Sequence, residues 1–406
     1  MAKLQTCFFP ALLVVLGLSG CVTQPAVTPA PVTCPACAPC VATVCPPSTT
    51  AVQPPAKPLQ PAAWQDLPGW GDDDVRAAWP PFLQSCRGLA GKSHGPQWKR
   101  VCDLAAGVDG KQAGAIRRFF EGNFKPYALV APDGNASGLI TGYYEPLLRG
   151  SRTRSRLFQS PVYGVPDDLL MVDLGDVYPE LKSLRLRGRL QGNKVVPYYT
   201  RAEIVGQETK LAGKTLLWVD DAVELFFLQV QGSGRVRLPD GSMVRVAYAD
   251  QNGHPYQSIG RLLVERGDLK VEEASMQGIQ AWGRANPSRL PELLNANPSY
   301  VFFREAAANG DGPAGALGVP LVAERSIAID PRFVPLGAPV FLSTTLPLSA
   351  RPLNRLVLAQ DTGGAIKGTV RADLFWGFGP KAGEQAGRMR QQGRLWVLLP
   401  DEAAPK

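Results

Sequence analysis

The chain has 406 residues, 45% of them hydrophobic, with 43 Lys and Arg against 35 Asp and Glu and a net charge of +8. That length accommodates two domains with sizeable cores. The charge is spread without a lysine-rich block, which suits an anionic polymer or a membrane surface and argues against nucleic acid as a partner. Two histidines in the whole chain leave little material for a His base or a zinc triad.

The opening MAKLQTCFFPALLVVLGLSGC has one basic residue, Lys3, an apolar run from Phe8 to Leu18, and two small residues before Cys21. The run is too short to cross a bilayer as a helix and has the pattern of a secretory signal spanning residues 1–20. Leu18-Ser19-Gly20-Cys21 resembles the lipobox of bacterial lipoproteins, which implies acylation of Cys21. Val22 in place of Asp implies, by the same resemblance, sorting to the outer membrane on its periplasmic side. Acyl chains add about 0.8 kcal/mol per buried methylene, so a multiply acylated Cys21 holds the protein at that surface.

Residues 21–64 are rich in Pro, Ala, Val and Thr. They cannot bury enough apolar surface to offset the entropy of ordering, and read as a tether. Within it TCPACAPCVATVC carries Cys34, Cys37, Cys40 and Cys45. The spacing admits a metal, but without a nearby histidine or core, disulfides in an oxidising compartment are favoured. Beyond the tether only Cys86 and Cys102 remain, a pair expected to form one structural disulfide.

The front of the folded body is helical. DDDVRAAWPPFLQSCRGLAG has acids in its first turn and a closing glycine, and GKQAGAIRRFFEGNF places Ile116, Phe119 and Phe120 on one face. Short β-rich runs follow: SGLITGYYEPLLRGS, SPVYGVP, LLMVDLG, KVVPYYTRAEI, TLLWVDD, ELFFLQVQGSGRVRLPDGSMVRVAYAD and YVFFRE. Pro239-Asp240-Gly241 marks a hairpin. Helices are expected at PYQSIGRLLVERGD, at SMQGIQAWGRANPSRLPELLNANP and near Pro380; strands return at VPLVAERSIAID, APVFLST, RLVLAQD and GRLWVLLP. The fold class is mainly β with α, and small barrels suit so many short strands.

One place stands out chemically. The apolar run RLVLA leads into Asp361, then Gly363 and Gly364. A carboxyl at the mouth of a buried strand loses solvent, which favours its neutral form and suits a general acid. The glycines let a sugar ring approach the backbone. Asp before Thr-Gly-Gly is also ordinary turn chemistry, so the local pattern leaves both readings open.

Five stretches in order, TGYYEPLLRGS (141–151), FFLQVQGSGRVRLPDG (226–241), NPSYVFFRE (297–305), ERSIAIDPRFVPLGAPVFL (324–342) and QDTGGAIKGTVRADLFWGFGPKAGEQAG (360–387), resemble the membrane-bound lytic murein transglycosylase A family. The resemblance implies a double-psi β-barrel built from residues 65–146 plus 286–400, with a second β-barrel domain, 147–285, inserted in it and a groove between them for a glycan strand. It implies an exo-acting lyase that cuts peptidoglycan between N-acetylmuramic acid and N-acetylglucosamine and forms 1,6-anhydromuramic acid. No cofactor and no metal are implied, and other cell-wall enzymes are implied as partners.

The C-terminal part resembles the three-aspartate domain of that family, here Asp330, Asp361 and Asp373. By resemblance Asp361 is the catalytic acid, with Asp330 and Asp373 as supporting groups. The expected substrate contacts are Thr141, Gly142, Tyr143, Tyr144, Glu145, Gln229, Gln231, Ser233, Arg235, Gly363, Gly364 and Lys367. If the FFLQVQGS run is a strand, alternation places Gln229, Gln231 and Ser233 on one face. Two other functions stay open: an inverting hydrolase using two aspartates, and a non-catalytic peptidoglycan-binding lipoprotein.

Overall fold

A computed structural model of the chain describes residues 56–181, 184, 186–307 and 312–405. The signal segment, Cys21 and the tether cysteines Cys34, Cys37, Cys40 and Cys45 lie outside the described residues. The tether, expected to reach residue 64, gives way sooner. Strand β1 (Leu59–Pro61) pairs antiparallel with β2 (Lys125–Leu129), because Leu59 finds apolar cover against the core.

Between these strands lie α1 (Trp79–Leu89), α2 (Lys99–Ala105) and α3 (Ala113–Asn123). Prolines in the first turn of α1 sit where their missing N–H costs nothing. The apolar face of α3 buries Ile116, Phe119 and Phe120. Edge-to-face contacts join α3 to α1, with ring centroids 5.1 Å apart for Trp79 and Phe119 and 5.2 Å for Phe82 and Phe120. Each fully buried aromatic of this kind contributes roughly 1.5–3 kcal/mol. Cys86 of α1 is disulfide-bonded to Cys102 of α2, Cα to Cα 5.5 Å.

After β3 (Gly138–Glu145) the chain makes β4 (Leu147–Ser151), β5 (Ser160–Tyr163), β6 (Leu170–Val172), β7 (Leu186–Gln191) and β8 (Lys194–Pro197). Then come α4 (Arg201–Val205), α5 (Glu208–Leu211), β9 (Thr215–Val219), α6 (Ala222–Gln231), β10 (Ser233–Arg237) and β11 (Met243–Gln251). Helices α7 (Ile259–Glu265), α8 (Met276–Ala285) and α9 (Leu290–Asn295) precede β12 (Val301–Ala306). The last part holds β13 (Ser326–Ile329), β14 (Pro339–Thr345), β15 (Pro352–Asp361), β16 (Ala372–Phe378), α10 (Gly379–Arg388) and β17 (Arg390–Leu399).

Six strands close on themselves in the order β17-β14-β15-β13-β16-β3, because β3 pairs with both β16 and β17. The pairs β13–β15 and β16–β3 are parallel; the other four are antiparallel. Strand β17 manages both neighbours on one edge by giving its first half to β3 and its second half to β2. The helices cover the barrel, so β14 and β15 are buried on both faces and read as continuous apolar runs rather than alternating ones. Arg325 ties the two parts together, donating to both oxygens of Asp73 at 2.8 Å.

The second sheet has the order β12-β11-β10-β4-β9-β5, and a small three-stranded sheet, β6-β7-β8, stands apart from it. Its edge strands β5 and β12 lie against each other, with Val162 and Phe303 in one core, though no ladder joins them among the described residues. Strand β12 hydrogen bonds along β11, so the second sheet extends beyond the boundary expected at residue 285.

One element differs in kind from the sequence expectation. ELFFLQVQ is not a strand but most of helix α6, capped by Asp221, whose side chain accepts from the N–H groups of Val223 and Glu224, and ended by Gly232 at φ +80°. The helix is packed on several sides, which erases the 3.6-residue stripe from its sequence.

The disulfide closes a separation of 16 residues, for which loss of chain entropy in the unfolded state predicts about 3 kcal/mol. A Cys86→Ser, Cys102→Ser double variant should unfold at correspondingly lower denaturant concentration. Equilibrium unfolding of the chain measures this, and an unchanged midpoint would contradict it.

Candidate active site

Three strand ends meet at one place. Asp361 ends β15 opposite Ala328 of β13, and β3 runs parallel to β16 with Thr141 beside Asp373 and Tyr143 beside Phe375. Alternation turns Thr141 and Tyr143 to the same face of β3. There the Tyr143 hydroxyl donates to Asp361 Oδ2 at 2.9 Å and the Thr141 hydroxyl donates to Asp373 Oδ1 at 2.6 Å. The other Asp361 oxygen, Oδ1, accepts the N–H of Ala316 at 2.9 Å.

Ala316 belongs to a loop laid across the strand end, where Leu317 N–H donates to Gln360 O at 3.0 Å. A Cβ at Gly315 would stand 2.5 Å from that carbonyl, so only glycine lets the loop come so close. The Tyr143 ring packs on Phe375 at 5.2 Å within a small cluster that includes Leu321, Ala328 and Ile366. Asp361 itself stays partly open to solvent.

The aspartates sit in different electrostatic settings. Burial pushes the Asp373 carboxyl up, the Thr141 hydroxyl and Arg371 pull it down, and the charge of Asp361 pushes it up again; the balance lies at about 6. Burial and then Asp361 hold the Tyr143 phenol well above its ordinary value, so it remains a donor. Asp330 is the opposite case. Burial alone would raise it, but the Arg332 guanidinium and the N–H groups of Gly368 and Arg332 outweigh that and bring it down to about 2. It is 1% exposed, with Arg332 Nη2 at 2.6 Å and Gly368 N at 2.9 Å. Its hydrogen bonds make Asp330 the fastener of the 363–368 loop rather than a group open to a ligand.

The remaining expected contacts divide. Gly363, Gly364 and Lys367 lie on that loop, with Gly364 and Lys367 exposed. Gly142 is explained by packing, since a Cβ there would meet Trp376 Nε1 at 2.5 Å. Tyr144 points to the face of β3 opposite Tyr143 and donates to Met276 Sδ at 3.3 Å.

Glu145 is wholly buried, held by Arg235 Nε and Arg245 Nε at 2.9 Å each. It is a structural ion triad and has no surface to offer a sugar. Gln229 and Gln231 do not share a strand face. On helix α6, Gln229 is buried, whereas Gln231 accepts the Tyr144 N–H at 3.0 Å. Ser233 opens β10, and Arg235 lays its guanidinium over the Phe378 ring at 4.0 Å.

Sequence reasoning missed Arg245, Phe378 and the Ala316 N–H. Arg245 was accessible from the hairpin register, which sets it directly opposite Arg235. Nothing in the sequence marks the amide. Among the described residues no group of His, Cys, Asp and Glu is placed to hold a metal ion.

Residues 139–304 match the family model described as the MltA specific insert domain, and residues 325–399 match the 3D domain. The chain is 34% identical over 297 residues to membrane-bound lytic murein transglycosylase A of Escherichia coli (strain K12), which covers 71% of this chain and 73% of that protein.

The chain belongs to the membrane-bound lytic murein transglycosylase A family.

A monoclinic crystal structure of MltA from Neisseria gonorrhoeae has 40% identity and a TM-score of 0.72, covering 86% of this chain and 94% of that one. E. coli MltA with bound chitohexaose has 29% identity and a TM-score of 0.61, covering 87% and 94%. The expected mixed, β-rich fold with helices is that of the MltA structures.

In this MltA-family site the negative charge of an ionised Asp361 adds to the upward push on the Asp373 pKa. Asp361→Asn should therefore lower the Asp373 pKa, measurable by carbon NMR of the carboxyl; no movement would mean the two do not sense each other. Asp330 carries the reverse sign. Its folded pKa of about 2 lies below the unfolded value of about 3.9, so its stabilisation is complete above about pH 4 and is lost as pH falls through about 2. Asp330→Asn should cost on the order of 1–2 kcal/mol in denaturant unfolding at neutral pH. That difference should vanish in strong acid, and a pH-independent one would contradict the assignment.

Proposed function

We propose that the chain is a peptidoglycan lytic transglycosylase, a carbon–oxygen lyase that cleaves the β-1,4 bond between N-acetylmuramic acid and N-acetylglucosamine. The observation carrying this reading is a single partly exposed carboxyl, Asp361, oriented through both oxygens by the Tyr143 hydroxyl and the Ala316 N–H in a chain of this family.

Asp361 gives its proton to the glycosidic oxygen as that bond to C1 breaks. The resulting carboxylate takes the proton of the muramic 6-hydroxyl, whose oxygen bonds to C1 and closes the 1,6-anhydro ring. The proton taken replaces the one given, so one acid serves both steps without an attacking water. The Tyr143 hydroxyl and the Ala316 N–H hold one oxygen each and so fix the orientation of the carboxyl toward the travelling proton. Asp373, once ionised above about pH 6, supplies negative charge near an oxocarbenium-like centre. In this reading Lys367 and Gly364, exposed on the adjoining loop, and Arg235, through its partly exposed guanidinium, contact the glycan.

We infer that the closed six-stranded unit is the double-psi barrel, that the insert runs from 147 past 285 to include β12, and that a groove between them takes the strand. Among the described residues no helix is long and apolar enough to cross a membrane, and the family's curated relatives are named membrane-bound. This supports an outer-membrane lipoprotein anchored by acylated Cys21 and facing the periplasm. Exo-action on strand ends and association with other cell-wall enzymes belong to the same reading.

Mass analysis of purified sacculi digested by the protein tests it. Wild type should release products with 1,6-anhydro ends. Asp361→Asn should lower turnover by at least about 10²–10⁴-fold, the span of general acid–base catalysis, while still binding sacculi. Reducing ends would indicate a two-acid hydrolase, and undiminished function in Asp361→Asn would indicate a binding protein.

A further inference from the structure

The residue before the acid interrupts the ladder that carries it. Strand β15 runs parallel to β13 with Ile327 opposite Ala359, yet the next residue, Ala328, stands opposite Asp361. The pairing therefore skips Gln360, a bulge of a kind uncommon between parallel strands, and bulges re-aim neighbouring side chains. Since the ladder with β13 passes Gln360 by, other contacts hold it. Its carboxamide Nε2 donates to Pro81 O at 2.9 Å and to Ser85 Oγ at 3.0 Å, both in α1, while Oε1 accepts the Ser326 hydroxyl at 2.6 Å. Gln360 is wholly buried, so it has no surface to offer a sugar.

The loop that brings the Ala316 N–H to Asp361 is pinned to the same residue at two points. Leu317 N–H donates to the Gln360 carbonyl. Val322 N–H donates to Ser326 Oγ at 2.8 Å, and that hydroxyl is the one that donates to Gln360. Between these points the loop closes on itself, Gly315 N–H to Val319 O at 2.9 Å and Leu321 N–H to Pro313 O at 2.8 Å. Its Leu317 and Val319 side chains sink into the core that also holds Phe82 and Leu89 of α1. A buried carboxamide that served stability alone would not need to be joined both to the acid and to a donor of that acid.

We propose that Gln360 is a positioning residue for the acid: through its bulge and its carboxamide, α1 fixes the angle at which Asp361 meets the Ala316 N–H. Resting on the function proposed above, that angle is the one at which the carboxyl gives its proton to the glycosidic oxygen and takes the next. The effect of Gln360 on the reaction then passes wholly through Asp361 and Ala316, and falls on turnover rather than on the grip on the strand.

Three variants of the full chain test this. Gln360→Met keeps the volume and removes the carboxamide's hydrogen bonds; Ser326→Ala is milder and removes only the link to Val322. Leu263→Ala, in the buried cluster around α7, controls for lost stability alone. Per folded molecule on soluble glycan strands, the first two should lower kcat about 10–100-fold with KM within about twofold, since a misplacement of about 1 Å costs up to about 10²-fold. Leu263→Ala should leave kcat unchanged. The double variant Gln360→Met, Ser326→Ala should be no slower than Gln360→Met, because residues acting as a unit are not additive. In NMR spectra the Ala316 amide proton should move upfield in both variants, as it does when Asp361→Asn weakens its acceptor. An unmoved Ala316 amide, a kcat loss matched by Leu263→Ala, or a loss expressed in KM instead would overturn the assignment. A moving amide in a protein whose wild type releases no anhydro ends would refute the lytic function and leave Gln360 as the residue that aims the carboxyl.

Discussion

Glu145, wholly buried between Arg235 and Arg245, is the interaction on which the rest of the arrangement depends. The two arginines face each other directly across the β10–β11 pair, where like charges repel. The carboxylate that resolves the conflict comes from the last residue of β3, a strand of the other sheet. Buried ion clusters of this kind add little net stability, but removing one member leaves uncompensated charge in the interior. The triad therefore acts as a register pin. With Glu145 fixed, Pro146 O accepts the Arg235 N–H at 2.8 Å and β4 runs parallel to β10, so the second sheet leaves the barrel in one defined way.

The same strand sets the acids. Four residues before Glu145, Thr141 meets Asp373, and two before it Tyr143 meets Asp361. Three aspartates within a short span then acquire three characters from their surroundings alone. Asp330 is saturated by Arg332 and Gly368 and stays ionised. Asp373, short of donors, holds its proton to about 6. Asp361 keeps solvent access between two donors from different segments. Pushing the properties of identical side chains apart is how one site can supply both a proton and a charge.

Much of this was legible in the sequence, and the failures have physical causes. The front helices, the Pro239–Gly241 hairpin and the C-terminal strands carry strong periodic or turn signals. Helix α6 did not, because AVELFFLQV is packed on several sides and short apolar runs do not distinguish a buried helix from a buried strand. Its caps, Asp221 and Gly232, were the better guide. That error carried Gln229 and Gln231 onto a common face they do not have. Glu145 and Gly142 sit inside a motif that reads as glycan-lining, yet one is a buried counter-ion and the other makes room for Trp376. Motif membership does not separate a residue that touches a ligand from one that holds the motif in place. The Ala316 amide has no side-chain signature, and only the loop's path reveals it.

The doublet Tyr143-Tyr144 shows how tightly these demands are coupled. In a strand, neighbouring side chains take opposite faces, so a slip of one residue would exchange the two tyrosines. It would present the Tyr144 side to Asp361, drive Tyr143 into α8, and replace Gly142 beneath Trp376 with a side chain that does not fit. The parallel register with β16, the antiparallel register with β17 and the Glu145 triad each exclude that slip independently. Three constraints on eight residues are more than stability of one strand needs. They are what is needed if both faces of β3 must hold their groups in place at once.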